Sequence, residues 1–257
     1  MKGTLCTAVV VAAGSSSRMG GNVRKPYLSL NGKPILSWTL QALTHVFGLH
    51  QIVLVTRPDD RETALAAAQC ARLPGTIRLD CAEGGARRQD SVWNGLKATL
   101  AESELVLIHD AARPFPPPNA MWQACLEAKR IGAAILACRV KDTVKRQADQ
   151  NSPVPDPLIE LDEAPPAIQI EGTVPRAGLW LAQTPQVFQR ALILSLFERL
   201  ALETVPHELT DDASVCELFG QPVGLIESSE TNLKVTRPED VLIAEAYLKM
   251  KRTTRLR

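Results

Sequence analysis

The chain reads Val9-Val10-Val11-Ala12-Ala13-Gly14-Ser15-Ser16-Ser17-Arg18-Met19-Gly20 near its beginning, and Arg24-Lys25-Pro26 follows after three further residues. The apolar run predicts a buried strand, and the glycine and serines after it predict a turn. Such a turn presents backbone N–H groups and hydroxyls to an anion, while Arg18, Arg24 and Lys25 supply positive charge. The stretch therefore indicates a site for the phosphates of a nucleoside triphosphate.

Two better-known glycine-rich phosphate loops do not match this stretch. A P-loop needs a lysine and a hydroxyl residue directly after its last glycine, and neither follows Gly20. Ser16 stands where the dinucleotide-binding pattern has its second glycine. Taken alone, the loop also fits an ordinary polar surface turn, so its interpretation depends on the rest of the chain.

The composition is that of a globular protein of balanced charge. The chain has 257 residues, of which 45% are hydrophobic and 22% are charged. We expect one domain spanning 1–257, long enough to bury a substantial core. Lys and Arg number 29 against 28 Asp and Glu, a net charge of +1, so overall charge does not favour a nucleic-acid or membrane partner.

The cysteines and apolar runs indicate the compartment. The six cysteines show no Cys-x-x-Cys pair and no zinc-ligand spacing, a pattern typical of a reducing cytosol. The apolar run at 8–13 is short for a signal peptide, and no window approaches the ~18 apolar residues of a membrane span. We expect a soluble cytoplasmic enzyme.

Short apolar runs alternate with helix-like segments. The runs predict strands at 7–12, 51–56, 77–81, 105–109, 133–138 and 223–227, and the segments predict helices at 35–46, 61–72, 89–101, 119–131, 187–203 and 237–248. This alternation predicts an α/β fold with a Rossmann-like, doubly wound, mostly parallel mixed sheet. Ligands bind at the carboxyl ends of the strands in such sheets, and Gly14 and Asp110 fall just past two of those ends.

One segment interrupts the alternation. Residues 141–176 are rich in Pro, Asp, Glu and Gln, and the segment is too long for a routine connection inside a compact domain. It is either a disordered insertion or an extended arm that leaves the body and pairs with another subunit. We expect an arm at about 141–176.

An acidic residue and an arginine follow the predicted strand at 105–109. Asp110 comes directly after the strand, and Arg113 lies three residues further on. A carboxylate at this place can hold Mg²⁺ beside a triphosphate, because that ion prefers hard oxygen ligands. The alternative is an Asp–Arg pair that caps the strand end. His109 is read as a strand residue without a functional role.

A second glycine- and arginine-containing turn precedes the predicted helix at 89–101. Gly85, Arg88 and Ser91 recur there at intervals of three. Glycine backbone could approach a flat base closely, and Ser91 could donate a hydrogen bond to it. The alternative is an ordinary loop with Asp90 near the helix N-terminus.

Lys234 stands alone between apolar residues, where a charge is costly unless it has an anionic partner.

Taken together, the motifs resemble those of one family. They are Ala-Ala-Gly-x3-Arg-Met at 12–19, Lys-Pro-Tyr-Leu at 25–28, Gly-Gly-x-x-Arg-x-x-Ser-Val at 84–92, His-Asp-Ala-Ala-Arg-Pro at 109–114, Lys-Asp-Thr-Val-Lys at 141–145, Thr-Pro-Gln-x-Phe at 184–188, Thr-Asp-Asp-Ala-Ser at 210–214 and Asn-Leu-Lys-Val-Thr-Arg-Pro-Glu-Asp at 232–240. From about residue 5 to 250 the chain resembles the 2-C-methyl-D-erythritol 4-phosphate cytidylyltransferases of the non-mevalonate isoprenoid pathway.

The resemblance implies a reaction. The phosphate of methylerythritol phosphate attacks the α-phosphorus of CTP in line, and pyrophosphate leaves without a covalent enzyme intermediate. Catalysis then consists of positioning and of neutralising the charge on the triphosphate. Arg18 and Lys25 match the family's catalytic cations, and Mg²⁺ is the expected metal.

The resemblance also implies further site residues and a partner. The implied nucleotide contacts are Ala12, Ala13, Gly14, Gly85, Arg88 and Ser91, the metal ligand is Asp110, and the acceptor contacts are Ala111, Arg113, Thr143, Arg176, Thr210 and Lys234. In the family pattern Arg176 reaches the neighbouring subunit's site from a β-arm, which implies a homodimer joined through 141–176. Thr184 lies in a matching motif without a clear role.

The arm departs from the family pattern, and two other functions compete. Thr143 and Arg176 are 33 positions apart, whereas the family spacing is about half that, so 148–170 has no recognised counterpart.

A sister enzyme acting on ribitol 5-phosphate would keep the CTP loop and Asp110 but change the acceptor pocket. A non-catalytic nucleotide sensor would have lost the cations and the metal ligand, yet the sequence has all four of them: Arg18, Lys25, Asp110 and Lys234.

Overall fold

The computed structural model describes residues 3–14, 24–148, 168–203 and 209–255. Its strands are β1 (Cys6–Val11), β2 (Ser29–Leu30), β3 (Lys33–Pro34), β4 (Leu49–Thr56), β5 (Arg78–Glu83), β6 (Leu105–Asp110), β7 (Ala133–Arg139), β8 (Val144–Gln147), β9 (Ile170–Val174), β10 (Trp180–Gln189) and β11 (Gly224–Glu227). Its helices are α1 (Ile35–Leu43), α2 (Arg61–Ala71), α3 (Arg88–Lys97), α4 (Pro118–Ile131), α5 (Arg190–Leu200), α6 (Ala213–Leu218) and α7 (Pro238–Arg255), with short 3₁₀ helices at Lys25–Tyr27 and Pro58–Asp60.

Seven strands form one central sheet in the order β11-β7-β10-β6-β1-β4-β5. Strand β1 pairs in parallel with both β4 and β6, β4 with β5, and β11 with β7, whereas β10 runs antiparallel to β6. The mostly parallel mixed sheet that the sequence predicted is therefore confirmed. Val11 pairs with Asp110, so the segments that follow β1 and β6 leave the sheet side by side.

Helices cover both faces of the sheet because successive strand residues point to opposite sides. Val10 packs in a cluster with residues of α1, α2 and α4, such as Leu40 and Met121. Its neighbour Val9 packs in a second cluster with residues of α3, α5 and α6, such as Leu96. The chain is doubly wound, and the charged loops collect at the carboxyl edge between these layers.

The sequence-based helix at 187–203 is wrong at its start. Val187 and Phe188 belong to β10, and α5 begins only at Arg190. Val187 packs in the cluster of α1, α2 and α4, whereas Phe188 packs in the opposite cluster. Val187 and Phe188 are consecutive apolar residues buried on opposite faces of the sheet, so they do not alternate with polar residues and merge with the apolar pattern of the helix that follows.

A third cluster fixes the segment between β11 and α7. Val235 is buried with Leu30, Phe115 and Leu248. The Val235 N–H also donates to the Ala112 carbonyl at 2.9 Å. Lys234 is thereby held next to the segment that leaves β6.

Contacts between Cα atoms divide the chain into two units, and the smaller one is Cys138–Leu181. Within it, β8 and β9 form an antiparallel hairpin in which Val144 pairs with Val174. The Arg139 guanidinium lies 4.3 Å from the centre of the Trp180 ring. The hairpin falls inside the expected arm at 141–176, and most of the insertion at 148–170 lies outside the described residues.

No helix among the described residues is long and apolar enough to cross a membrane.

Candidate active site

A buried carboxylate surrounded by cations marks the carboxyl edge of the sheet. Asp110 Oδ2 lies 3.0 Å from Lys234 Nζ and 3.4 Å from Arg113 Nε. Asp110 Oδ1 lies 3.8 Å from Arg88 Nη2. Asp110 and Arg113 therefore form the ion pair that the sequence suggested as an alternative, and this pair is one part of a larger cluster. The anionic partner that Lys234 requires is Asp110.

These neighbours decide the protonation of Asp110. Burial alone would raise its pKa, but Lys234, Arg88 and Arg113 more than offset that effect and hold the pKa well below its usual range. Asp110 is therefore ionised at neutral pH and can accept hydrogen bonds or bind a cation.

Arg88 is held by a second buried acid that sequence reasoning did not single out. Its Nη1 and Nη2 donate to Asp212 Oδ1 and Oδ2, each at 2.8 Å, and the Asp212 side chain is 1% exposed. Burial opposes the charge on Arg88, but Asp212 and Asp110 raise its pKa. Burial raises the pKa of Asp212, and pairing with Arg88 offsets part of that rise. The bidentate contact joins the start of α3 to the start of α6.

The turn after β1 packs directly against the second glycine turn. The Ala12 N–H donates to the Val55 carbonyl at 2.8 Å, and Arg57 Nε donates to the Ala13 carbonyl at 3.1 Å. A Cβ on Gly84 would lie 2.3 Å from the Ala13 Cβ, so only glycine lets the two turns approach this closely. Gly14 is exposed at the end of the described turn.

Gly85 and Ser91 have structural roles within their own loop. A Cβ on Gly85 would lie 2.3 Å from the Asp90 Cβ, so the glycine is needed for packing on the first turn of α3. The Ser91 hydroxyl accepts from the Gly85 N–H at 3.0 Å and donates to the Arg87 carbonyl at 3.2 Å. The packing and hydrogen bonds of the loop thus account for a glycine at 85 and a serine at 91, in addition to the nucleotide contacts that the resemblance implied.

The cations near the first turn differ in their surroundings. Arg18 lies outside the described residues. Lys25 begins a short 3₁₀ helix, Lys25–Tyr27. Arg24, which the sequence suggested as a phosphate cation, donates instead to the Asp60 carboxylate at the start of α2. Its charge is already compensated by that acid.

Arg113 and Lys234 are positioned by one asparagine. Arg113 Nη1 donates to the Asn232 carbonyl at 2.8 Å. The Asn232 side-chain amide donates to Gln183 Oε1 at 3.0 Å and to the Thr184 carbonyl at 2.9 Å. Asn232 therefore ties the segment that carries Lys234 to both Arg113 and β10.

Sequence reasoning gave His109 no role, but the structure places it in the support of Asp110. The Asp110 N–H donates to Thr184 Oγ1 at 3.0 Å, and that hydroxyl lies 2.9 Å from His109 Nδ1. His109 Nε2 lies 3.0 Å from the Arg113 carbonyl, so Nε2 carries the proton and Nδ1 accepts from Thr184. Burial lowers the pKa of His109 to about 4, which keeps the ring neutral.

The remaining sequence-based candidates lie in several places. Ala111 is buried directly after Asp110, and its N–H donates to the Val11 carbonyl at 3.1 Å. Thr210 is exposed just before α6. Thr143 and Arg176 belong to the smaller unit, where both are exposed and Arg176 Nη1 donates to the Lys141 carbonyl.

Asp110 is also the residue that could hold a divalent cation. Within the described ranges, no group of three or more His, Cys, Asp and Glu side chains is arranged to bind a metal. A single ionised carboxylate nevertheless fits Mg²⁺, since that ion keeps several waters and takes one or two carboxylates together with substrate phosphates. The donor chemistry therefore fits a metal that arrives with a phosphate ligand.

The fold and the site together define the class of protein. A mostly parallel, doubly wound sheet carries two glycine turns and a cluster of Arg and Lys side chains at its carboxyl edge. Enzymes with α/β folds bind nucleotides at this edge of the sheet and with these kinds of groups. The class is therefore that of the nucleotide-binding α/β enzymes.

Comparisons with known proteins identify the family. The family model described as 2-C-methyl-D-erythritol 4-phosphate cytidylyltransferase (IspD) matches residues 6–250. Proteins of that name from Desulforamulus reducens and Gloeobacter violaceus are 39% and 38% identical over 242 residues, 94% of this chain and 95% of each relative. The solved structure of 4-diphosphocytidyl-2C-methyl-D-erythritol synthase from Anaerococcus prevotii matches with a TM-score of 0.77 at 30% identity, covering 96% of this chain and 97% of that chain. The chain belongs to the 2-C-methyl-D-erythritol 4-phosphate cytidylyltransferase family.

The Arg88–Asp212 pair gives a prediction for stability. Arg88→Met leaves the Asp212 carboxylate buried without its partner, which we expect to cost about 3–5 kcal/mol in the free energy of unfolding. The double variant Arg88→Met/Asp212→Leu removes both charges and should recover most of that loss. Urea unfolding of the three proteins measures both effects.

Arg130 provides the matched control for this cycle. It pairs with Glu127 on the exposed side of α4 at 2.7 Å, and Arg130→Met should change the unfolding midpoint little. If Arg88→Met were as mild as Arg130→Met, the Arg88–Asp212 pair would not hold α3 and α6 together as described.

Proposed function

We propose that this chain transfers CMP from CTP to 2-C-methyl-D-erythritol 4-phosphate, giving 4-diphosphocytidyl-2-C-methyl-D-erythritol and pyrophosphate for isoprenoid precursor synthesis. The observation that carries the proposal is the Asp110 cluster, in which three cationic side chains lie 3.0–3.8 Å from one buried carboxylate beside the turn after β1. Family membership supports methylerythritol phosphate as the acceptor over ribitol 5-phosphate.

In the proposed reaction an oxygen of the acceptor phosphate forms a bond to the α-phosphorus of CTP. The bond from that phosphorus to the bridging oxygen of the leaving group breaks, and the electron pair leaves with pyrophosphate. Arg18 and Lys25 stabilise the charge on the pentavalent α-phosphate and on pyrophosphate. An ionised acceptor phosphate attacks without giving up a proton in this step.

The nucleotide is proposed to bind on the two glycine turns. Ala12, Ala13 and Gly14 line the phosphates, while Gly85, Arg88 and Ser91 line the cytosine and ribose. The close packing of Gly84 on Ala13 supports this arrangement, because it brings the two turns into one surface. Arg88 contributes with a guanidinium whose orientation is fixed by Asp212.

The acceptor is proposed to bind Lys234, whose Nζ contacts Asp110. Lys234 and Arg176 are cations suited to its phosphate, and Ala111, Arg113, Thr143 and Thr210 complete the contacts that the family resemblance implies. Lys234 supports this assignment directly, because it is 44% exposed while its Nζ lies against Asp110. It can therefore contact a ligand without leaving its place in the fold.

Asp110 is the residue that would hold Mg²⁺, together with phosphate oxygens of CTP. The ion supplies positive charge that neutralises the triphosphate. Before any ligand binds, Asp110 also balances the charges of Lys234, Arg113 and Arg88.

We further propose a cytoplasmic homodimer joined through 141–176, in which Arg176 serves the neighbouring subunit's site.

Pyrophosphate release from CTP with Mg²⁺ tests the reaction and the acceptor. We expect turnover with methylerythritol phosphate and little with ribitol 5-phosphate. Arg18→Ala and Lys25→Ala should each lower kcat by about 10²-fold or more, because each removes one charge from the transition state. Arg130→Ala on the exposed face of α4 is the control and should keep wild-type turnover. Turnover with ribitol 5-phosphate alone would overturn the acceptor, and silence with both acceptors would overturn the reaction.

Mixed dimers test the proposed role of Arg176 across subunits. Arg18→Ala and Arg176→Ala chains carrying different tags are co-expressed, and the mixed dimer is purified through both tags. If Arg176 serves the partner's site, one of its two sites has both residues intact, and about half of the wild-type activity returns. Arg146→Ala, another exposed arginine of the hairpin, is the control for Arg176→Ala. An inactive mixed dimer or a monomeric protein would contradict the proposal.

A further inference from the structure

Strand β10 carries polar side chains into the buried part of the site. Gln183, Thr184 and Gln186 are 6%, 5% and 1% exposed. Because β10 runs antiparallel to β6 and Gln186 lies opposite Ile108, the residues that precede Gln186 lie beside the carboxyl end of β6. A strand of this direction can therefore contact the loops on either side of it from within the sheet.

Each of these side chains contacts a different loop. Gln183 accepts from Asn232, on the segment that carries Lys234. Thr184 accepts from the Asp110 N–H. Gln186 contacts Asp211, Asp212 and the first residue of α6, Ala213. Three segments with candidate site residues are thus held by one strand.

Gln186 makes the most complete of these contacts. Its Oε1 accepts from the Asp212 N–H at 3.0 Å and from the Ala213 N–H at 2.9 Å. Its Nε2 donates to Asp211 Oδ2 at 2.7 Å. Backbone N–H groups only donate and a carboxylate only accepts, so the orientation of the amide is determined.

The contacts continue from Gln186 to the nucleotide side of the site. The backbone of Asp212 is fixed by Gln186, and its carboxylate holds Arg88 by two bonds of 2.8 Å. Asp211 Oδ1 accepts from the Ser214 N–H at 3.0 Å and from the Ser214 hydroxyl at 2.6 Å. The segment between Thr210 and α6 is therefore held from both sides.

We propose that Gln186 is a positioning residue, whose amide fixes the 210–212 segment and, through Asp212, the guanidinium of Arg88. It touches no substrate itself. The inference rests on the proposed function, because it assumes that Arg88 and Thr210 contact the substrates. Its effect is expected mainly on the KM values for CTP and the acceptor.

A reciprocal exchange between Gln186 and Asp211 tests this role. Gln186→Glu places two carboxylates face to face, and Asp211→Asn places two amide groups face to face. The double variant Gln186→Glu/Asp211→Asn restores the bond in reverse, since the new carboxylate accepts from the new amide and from both backbone N–H groups. The double variant also keeps the net charge of the wild type.

We expect each single variant to raise the KM for CTP about tenfold or more, because a buried polar group loses its partner. The double variant should return the KM to within about threefold of the wild type, since the bond is restored. Gln189→Glu is the matched control. Gln189 lies at the other end of β10 and donates to the Ala128 and Lys129 carbonyls, so its KM for CTP should stay unchanged.

Steady-state kinetics and calorimetric CTP binding are measured on all five proteins, with circular dichroism to confirm folding. Folded single variants with wild-type KM, or a folded double variant without recovery, would overturn the inference. If Gln186→Glu does not fold, Asp211→Asn and the double variant carry the same comparison. If the wild type binds CTP without turnover and the affinities follow the exchange pattern, the inference stands although the reaction fails. If the wild type neither binds nor uses CTP, both fall.

Discussion

A buried carboxylate that needs positive charge organises this protein's site. Asp110 ends a core strand at the carboxyl edge of the sheet, where an isolated charge would be costly. Lys234 and Arg113 compensate one oxygen, and Arg88 approaches the other. These cations come from three separate parts of the chain, so the need to compensate one acid brings their loops together.

The strand next to Asp110 makes this convergence possible. Strand β10 enters the parallel sheet in the opposite direction and presents buried polar side chains to the loops around Asp110. Buried polar networks are costly when incomplete, because an unpaired group loses its hydration without compensation. The Thr184 hydroxyl illustrates the complete case, since it accepts from Asp110 and donates to a neutral His109. The site is in this way supported by the core rather than by its surface loops.

The sequence predicted the parts of this arrangement that depend on local pattern. Apolar runs predicted β1, β4, β6 and β7, and the isolated charge of Lys234 correctly indicated an anionic partner. Strand β10 was not predicted, because polar and apolar residues do not alternate along a strand that is buried on both faces, and Val187 and Phe188 were assigned to the helix that follows. The pairing of Arg88 with Asp212 joins residues 124 positions apart, and nothing in the local sequence of either residue indicates it. The pairing of Arg24 with Asp60 could not be predicted for a similar reason, since Asp60 comes from the start of another helix.

Calorimetric binding of CTP to wild type and Asp110→Asn, with and without Mg²⁺, tests the central claim most directly. If Asp110 both balances the cations and holds the metal, the variant binds metal-free CTP severalfold more tightly, because Lys234, Arg113 and Arg88 lose a competing anion. The same variant should gain little affinity when Mg²⁺ is added, whereas the wild type should gain much more. Equal affinities of the two proteins under both conditions would contradict the account.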